Sequence, residues 1–240
     1  MDSVYAETYP ELYRRHWWWR VREGILLRRI AGLLEKKERP VRILDVGCGA
    51  GLFFDALQRF GDVEGIESDP RAVERAGRWR ESIHQGELDE SFRPTELYDA
   101  ILMLDILEHL RDPVRLLRSA RPLLKPDGRI VITVPAFNWL WTRHDDLNHH
   151  VCRYTGAQMR HTVRAAGLVV TDSTYLFQSL VVPKALVRLQ ESLLSKAPSV
   201  PTIPGRALND ALQSWFRTEY AVARWLPFGT SLMVVAKSPS

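Results

Sequence analysis

The chain has 240 residues, 45% of them hydrophobic, with 33 Lys and Arg against 29 Asp and Glu for a formal net charge of +4. That length buries a sizeable core and excludes a disordered or fibrous protein, while no apolar run reaches the roughly 20 residues of a membrane-spanning helix and no signal peptide opens the chain. Cys48 and Cys152 are too few and too separated for a disulfide scaffold or zinc site, so a cytoplasmic setting is expected; the excess arginines sit mainly near the N-terminus without a nucleic-acid motif, so no nucleic-acid partner is expected.

Residues 1–39 form an N-terminal helical segment. Trp19, Leu26, Leu27, Ile30, Leu33 and Leu34 repeat with a 3.6-residue period, which predicts a helix docked by one face. Its start, His16-Trp17-Trp18-Trp19-Arg20, sets three indoles side by side. Consecutive helical residues cannot share a face. Trp17 or Trp18 is therefore a candidate to close over a ligand, with Arg20 near a carboxylate, against the plainer alternative of packing with partial exposure.

Residues 40–174 carry the pattern of a doubly wound α/β core. Ile43 to Val46 reads as a strand, Gly47-Cys48-Gly49-Ala50-Gly51 as a turn, and residues 51–60 as a helix opening over it. Leu52 replaces the last glycine of the dinucleotide fingerprint, and Asp45, two residues before the first glycine, suits a cationic ligand better than a phosphate. A second strand, Val63 to Ile66, ends in Glu67, placed for ribose hydroxyls. A ligand with adenosine, a positive centre and an amino-acid end fits these features together.

Asp69 and Pro70 form an N-cap and first-turn pair, predicting a helix over 70–79. Residues 82–84 are a weak third strand, followed by the loop Gly86-Glu87-Leu88. Tyr98 to Leu104 is apolar enough to be buried on both faces and makes the fourth strand, with Asp105, Glu108 and His109 at its C-terminal end, where open α/β sheets bind ligands. Asp112-Pro113 caps the next helix, Lys125-Pro126-Asp127-Gly128 turns the chain, and Arg129 to Val134 is strand five.

The motifs Asp45-Val46-Gly47-Cys48-Gly49-Ala50-Gly51, Gly65-Ile66-Glu67-Ser68-Asp69, Asp105-Ile106-Leu107-Glu108-His109-Leu110 and Leu124-Lys125-Pro126-Asp127-Gly128 resemble the successive motifs of class I S-adenosylmethionine-dependent methyltransferases. The Leu-Glu-His-Leu segment is most similar to the small-molecule branch with ubiquinone-type O-methyltransferases. The resemblance implies a Rossmann-like, doubly wound seven-stranded sheet with its last strand antiparallel, an N-terminal helix and a helical insertion before the final strand. It implies S-adenosyl-L-methionine as cofactor, held by Asp45, Gly47, Cys48, Gly49, Glu67, Ser68, Glu87, Leu88, Leu104 and Asp105, with Glu87 accepting from the adenine amino group.

The loop from Pro135 to Arg153 is denser in aromatic and titratable groups than packing requires. Trp139, Trp141, Arg143, His144 and Arg153, with His109, are expected to wall the acceptor. A hydroxyl acceptor needs a base, and His149 or His150 suits, with Asp145 or Asp146 to orient it. In an extended chain adjacent histidines face apart, so one of the pair is expected to be structural. Thr155 and Gln158 spell a capping box for a helix ending at Gly167. No metal is assigned to the site; the alternative is a divalent ion at Asp105-x-x-Glu108-His109 plus a histidine of the 144–150 loop. That set is similar to the E-x-x-E-H arrangement of plant-type small-RNA methyltransferases, with Asp105 in place of its first acid.

Strand six (168–174) and a terminal strand (231–236, within residues 230–240) flank a stretch, 175–229, long enough to carry structure of its own. Residues 183–195 and 207–225 read as helices around a rigid Pro-rich loop, 197–205. A cap over an apolar acceptor is expected, with peripheral membrane contact through residues 183–196 as the alternative for the same cationic amphipathic pattern. The function expected is methyl transfer to a small aromatic or apolar hydroxylated acceptor. A non-catalytic S-adenosylmethionine-binding or assembly protein, or a nicotinamide-dependent oxidoreductase, is the alternative. No motif specifies an oligomeric state.

Overall fold

The computed structural model describes residues 3–35, 40–89, 91–193 and 201–239. Strands β1 (Val41–Val46), β2 (Gly61–Glu67), β3 (Ile83–Gln85), β4 (Tyr98–Leu104), β5 (Leu124–Pro135), β6 (Val169–Leu176) and β7 (Ser231–Lys237) form one sheet in the order β3-β2-β1-β4-β5-β7-β6. All pairings are parallel except those of β7, which runs antiparallel to both β5 and β6. The strand order reverses between β1 and β4, so their C-terminal ends open a crevice there.

The central strands are buried on both faces because each alternation meets a layer of helices. Ile43 and Leu102 pack with Leu26, Ile30, Phe54 and Leu57 on one side. Leu44, Ile101 and Met103 pack with Leu117, Met159 and Val163 on the other. Period-two alternation along a strand divides its apolar side chains between the two layers.

The expected caps form. Asp69 accepts from the Arg71 amide to start α4 (Pro70–Glu74), Asp112 from Arg115 to start α5 (Pro113–Ala120), and Thr155 and Gln158 close their capping box on α7 (Gly156–Ala165). Other boundaries differ. The N-terminal segment makes two helices, α1 (Ser3–Arg15) and α2 (Trp17–Leu34), because the chain is extended at His16, whose ring caps the Trp18 amide. The helix expected over 51–60 shortens to α3 (Phe54–Leu57), since Gly51 and Phe54 donate three residues back and hold tight turns ahead of it. In the same way α4 gives out after Glu74 into turns and a 3₁₀ segment, Gly77–Ser82. The Lys125–Gly128 turn is absorbed into β5 as an irregularity where pairing jumps from Tyr98↔Leu124 to Ala100↔Arg129.

The insertion before β7 contains α8 (Val181–Leu193) and α9 (Arg206–Ala223). Residues 197–200 of the expected loop, and Lys196, lie outside the described residues. Helix α9 packs on α2, where Phe216 stacks on Trp17 at 4.8 Å between ring centres and Asn209 accepts from the Trp17 amide at 2.8 Å. Helix α8 lies against the loop between β5 and α7, with Arg188 donating to the Trp141 carbonyl at 2.7 Å.

Candidate active site

A cavity of about 1300 Å³ lies over the C-terminal ends of β1, β2 and β4 and is roofed by α1, α2 and the start of α8. At its floor the turn after β1 is held by the Gly47 and Cys48 amides, which both donate to the Ile66 carbonyl. Gly47 has φ +74°, and a side chain there would put its Cβ 2.5 Å from Ile106 Cγ2. Gly49 also has positive φ, but nothing lies within 4 Å of where its Cβ would stand. The backbone is thus bare toward the cavity, which lets a ligand reach the main chain.

Glu67 closes the turn from the other side. One carboxylate oxygen accepts from the Gly49 amide and the other from the Asp69 amide, each at 2.8 Å. Both oxygens retain lone pairs for hydroxyl donors, and the two backbone bonds fix the carboxylate before any ligand arrives. Ser68, Glu87, Leu88 and Leu104 line the same wall. Asp45 is buried beneath it, and its carboxyl is pushed up to about 7 by burial and by the neighbouring Glu67 charge, against the opposing pull of Arg22. Burial pushes the Cys48 thiol up as well, so it contributes as a packed neutral group.

Asp105 takes the left-handed region (φ 57°) at the end of β4. Arg22 of α2 reaches its carboxylate at 2.7 Å, and Thr133 donates to the other carboxylate oxygen at 2.8 Å. Sequence reasoning missed Arg22. Its signal was a charged residue on the apolar stripe of α2, between Trp19 and Leu26. Tyr9 and Tyr13 of α1 also line the cavity without having been singled out.

The tryptophan run divides as the geometry of a helix requires. All three indoles border the cavity. Trp17 stacks on Phe216, Trp18 stacks on Phe177 with the Arg22 guanidinium over its ring, and Trp19 meets Tyr9 edge-on. Arg20 does reach a carboxylate, but it is that of Glu23, one helical turn on at 2.5 Å, and Arg20 does not border the cavity.

Within the loop after β5, Asp145 is fully buried in the short helix α6 (Arg143–Leu147). The Arg153 guanidinium binds both its oxygens, through Nε and Nη2 at 2.9 Å each, and His150 Nδ1 meets Oδ1 at 2.8 Å. Burial alone would raise this carboxyl. The hydrogen bond from His150 and the charge of Arg153 outweigh it and hold the group well below the usual carboxylate range. His150 faces the cavity, with the His109 ring 4.8 Å away.

His149 is set apart. It takes φ 57° and stands exposed outside the cavity lining, so the chain reverses at this residue and turns only the second histidine inward. Trp139, Trp141 and Arg143 also leave the main cavity. They line a separate cleft of about 500 Å³ with Ala185 and Arg188 of α8, where Trp141 donates to Asp146 and Arg143 binds Glu191. Asp146 is spent on Trp141 and does not reach His150. His144 and Arg153 remain at the cavity, and burial lowers His144 to about 4. Asn148 and Lys184, which sequence reasoning passed over, border it beside them.

Among the described residues, one set of groups could hold a divalent ion. Ligand atoms of Glu108, His109 and His150 all lie within 4.8 Å of one another, and Glu108 Oε2 is buried without a hydrogen-bond partner. Asp105 is not in this set, because Arg22 and Thr133 occupy its carboxylate.

Comparison with known proteins identifies the family and the fold. A family model described as a methyltransferase domain matches residues 18–173. A ubiquinone biosynthesis O-methyltransferase of Cereibacter sphaeroides is 36% identical over 101 residues, covering 38% of this chain and 40% of that one. Its counterpart in Actinobacillus pleuropneumoniae is 34% identical over 112 residues, 40% and 44% of the two chains. The chain thus spans about two fifths of the length of these relatives. Among solved structures, an S-adenosylmethionine-dependent methyltransferase from Clostridium acetobutylicum superposes with a TM-score of 0.57 at 9% identity over 88% of this chain and 89% of that one. The plantazolicin methyltransferase BamL, solved with SAH and a triazolic desmethylPZN analog, gives 0.60 at 14% identity over 92% and 85%. The fold is the one these enzymes share, and with most of its core matched by the family model the chain belongs to the methyltransferase domain family.

Proposed function

We propose that this protein is an S-adenosyl-L-methionine-dependent methyltransferase whose acceptor is a small, aromatic or apolar hydroxylated molecule, working in the cytoplasm. The observation that carries this reading is the continuity of one cavity from the Glu67–Gly49 pair to the His150–Asp145 pair. The cofactor, when bound, supplies an electrophilic methyl group on a sulfonium. The residues of this chain do the rest. Glu67 holds hydroxyls of the ribose, the bare backbone at Gly47 and Gly49 receives the amino-acid end, and Asp45 stabilises positive charge above it.

On the acceptor side, positioning supplies most of the rate, because attack on the methyl group must be in line. Trp17, Trp18 and Trp19 offer apolar faces against which a flat or greasy acceptor is fixed. His150 takes the hydroxyl proton. Its Nδ1–H is directed to the Asp145 carboxylate, which leaves Nε2 as the basic nitrogen, and Asp145 stabilises the imidazolium that forms. Transfer of labelled methyl to an extract fraction, lost in His150→Ala and retained in His149→Ala, is the expected result. Calorimetry that finds NAD affinity and no adenosylhomocysteine affinity overturns the reading.

A second reading rests on the orphaned Glu108 oxygen. A divalent ion held by Glu108, His109 and His150 would bind the acceptor hydroxyl and lower its pKa, using the same imidazole as a ligand. Undiminished methyl transfer by chelator-treated, metal-free protein removes this version and leaves the first.

A further inference from the structure

Helix α8 turns three charged side chains toward the body of the protein, and two of them are matched. Arg188 donates to the Trp141 carbonyl at 2.7 Å, and Glu191 accepts from the Arg143 amide at 2.9 Å. Lys184 stands apart. It is half-buried and borders the main cavity, yet among the described residues its Nζ has neither a hydrogen bond nor an ion pair. The buried carboxylate that attracts it, Asp145, is already filled: its oxygens accept from the Arg153 guanidinium, from His150 and from the amide and hydroxyl of Thr142. Glu191, the other acid that acts on Lys184, is held by Arg143 in the neighbouring cleft.

A charge taken out of water is normally paired, because only a partner recovers the lost solvation. Position makes the want of a partner greater. Lys184 is the fourth residue of α8, at the end where the helix dipole is positive and stabilises anions, not cations. Burial, together with the charge of Arg153, lowers the ammonium to about 8. It therefore still carries its charge at neutral pH. Lys184 is also the charge that acts most strongly on His144, which sets it beside that ring, at the end of the cavity that Asn148 and His150 border.

We propose that Lys184 holds a carboxylate of the acceptor, so that the molecule methylated is an aromatic or apolar hydroxy acid with its hydroxyl at His150 and its carboxylate on Lys184 Nζ. This step rests on the methyltransferase reading and narrows its substrate class. An ammonium is a point charge with three N–H donors, and the guanidinium fork nearby is committed to Asp145. That suits one singly charged carboxylate, whereas a phosphate dianion draws on more than one such donor group.

The test is calorimetry of the full chain, with and without adenosylhomocysteine, titrated with the three monohydroxybenzoates and the matching hydroxybenzamides, which are neutral and of the same shape. At neutral pH at least one acid binds about tenfold or more tighter than its amide. In Lys184→Met that acid falls to the affinity of its amide, while the amide binds as before; Lys184→Arg restores most of the preference. Acids that bind no better than their amides, or no binding by either, overturn the proposal. So does a preference that survives Lys184→Met, or an equal loss of acid and amide, which assigns the lysine to packing. Hydroxyphenyl phosphates that bind tighter than the acids through the same lysine overturn the carboxylate in favour of a phosphate. The two readings fail separately. Absent adenosylhomocysteine affinity with the acid preference intact removes the methyltransferase and leaves the anion site, and bound adenosylhomocysteine without that preference does the reverse.

Discussion

Arg22, carried on the buried face of α2, closes on the carboxylate of Asp105 at 2.7 Å and also donates to Thr133 Oγ1 at 2.7 Å. The N-terminal helix is thereby tied to the ends of β4 and β5 in the middle of the cavity. Replacing Arg22 by Met keeps its apolar stem and removes the guanidinium. The expected loss of stability is about 2–3 kcal/mol, the scale of hydrogen bonds to charged groups, read from urea unfolding, and cofactor affinity falls with it. An Arg22→Lys variant recovers part of the stability, because it restores the charge without the fork.

A pH dependence follows from Asp45. Burial and Glu67 push its carboxyl to about 7, so in the empty protein it is neutral below that value and ionised above. Without ligand, this raised value favours the folded state at acid pH, and the contribution is lost as pH rises from about 4 to about 7. A cationic cofactor prefers the ionised form. Its affinity is therefore expected to weaken as pH falls below about 7, approaching tenfold per pH unit. Calorimetry in buffers of different ionisation enthalpy shows proton release on binding in that range. Affinity that is flat from about pH 5 to about pH 8 excludes the linkage.

The two glycines of the first turn separate packing from ligand contact. Gly47→Ala meets Ile106 at 2.5 Å with φ +74°, and a cost of about 2–3 kcal/mol is expected from strain and overpacking together. Gly49→Ala meets open space, so only the positive φ opposes it, at about 1 kcal/mol. Thermal unfolding ranks the variants in that order. Gly49→Ala nonetheless loses cofactor affinity, since its methyl group covers bare backbone.

How much of this site the sequence disclosed depends on how local the cause was. The β1 turn, Glu67 and the caps at Asp69, Asp112 and Thr155 depend on neighbours within a few residues, and they were readable. The choice between His149 and His150 depended on one backbone angle, which alternation could predict only as a split. Arg22 was hidden because its partners, Asp105 and Thr133, come from distant strands. At α8 the period made an apolar stripe legible but not the side it faces, and Leu186, Leu189 and Leu193 stand exposed.

Asp145→Asn is expected to cost about 3–5 kcal/mol, since it leaves the Arg153 guanidinium buried against a neutral amide. The acid limb carries the sign. A carboxyl held below its unfolded value contributes stability that is complete above about pH 4 and is lost as pH falls toward the folded value. Acid unfolding of the wild type should therefore steepen below about pH 4, and the variant should lack that component while already being less stable at neutral pH.

Strand β7 pairs with β5 on one side through Ile130 to Pro135 and with β6 on the other through Val169 to Leu176. Neither neighbour touches the other directly, so β6 joins the sheet only through a partner made some sixty residues later. During synthesis on the ribosome, the ligand-bearing half from β1 to β5 can assemble while β5 still presents an open edge. Chaperone occupancy and misassembly of nascent chains should concentrate in the interval before residue 237 emerges, and they should cease once that single ribbon slides into its slot.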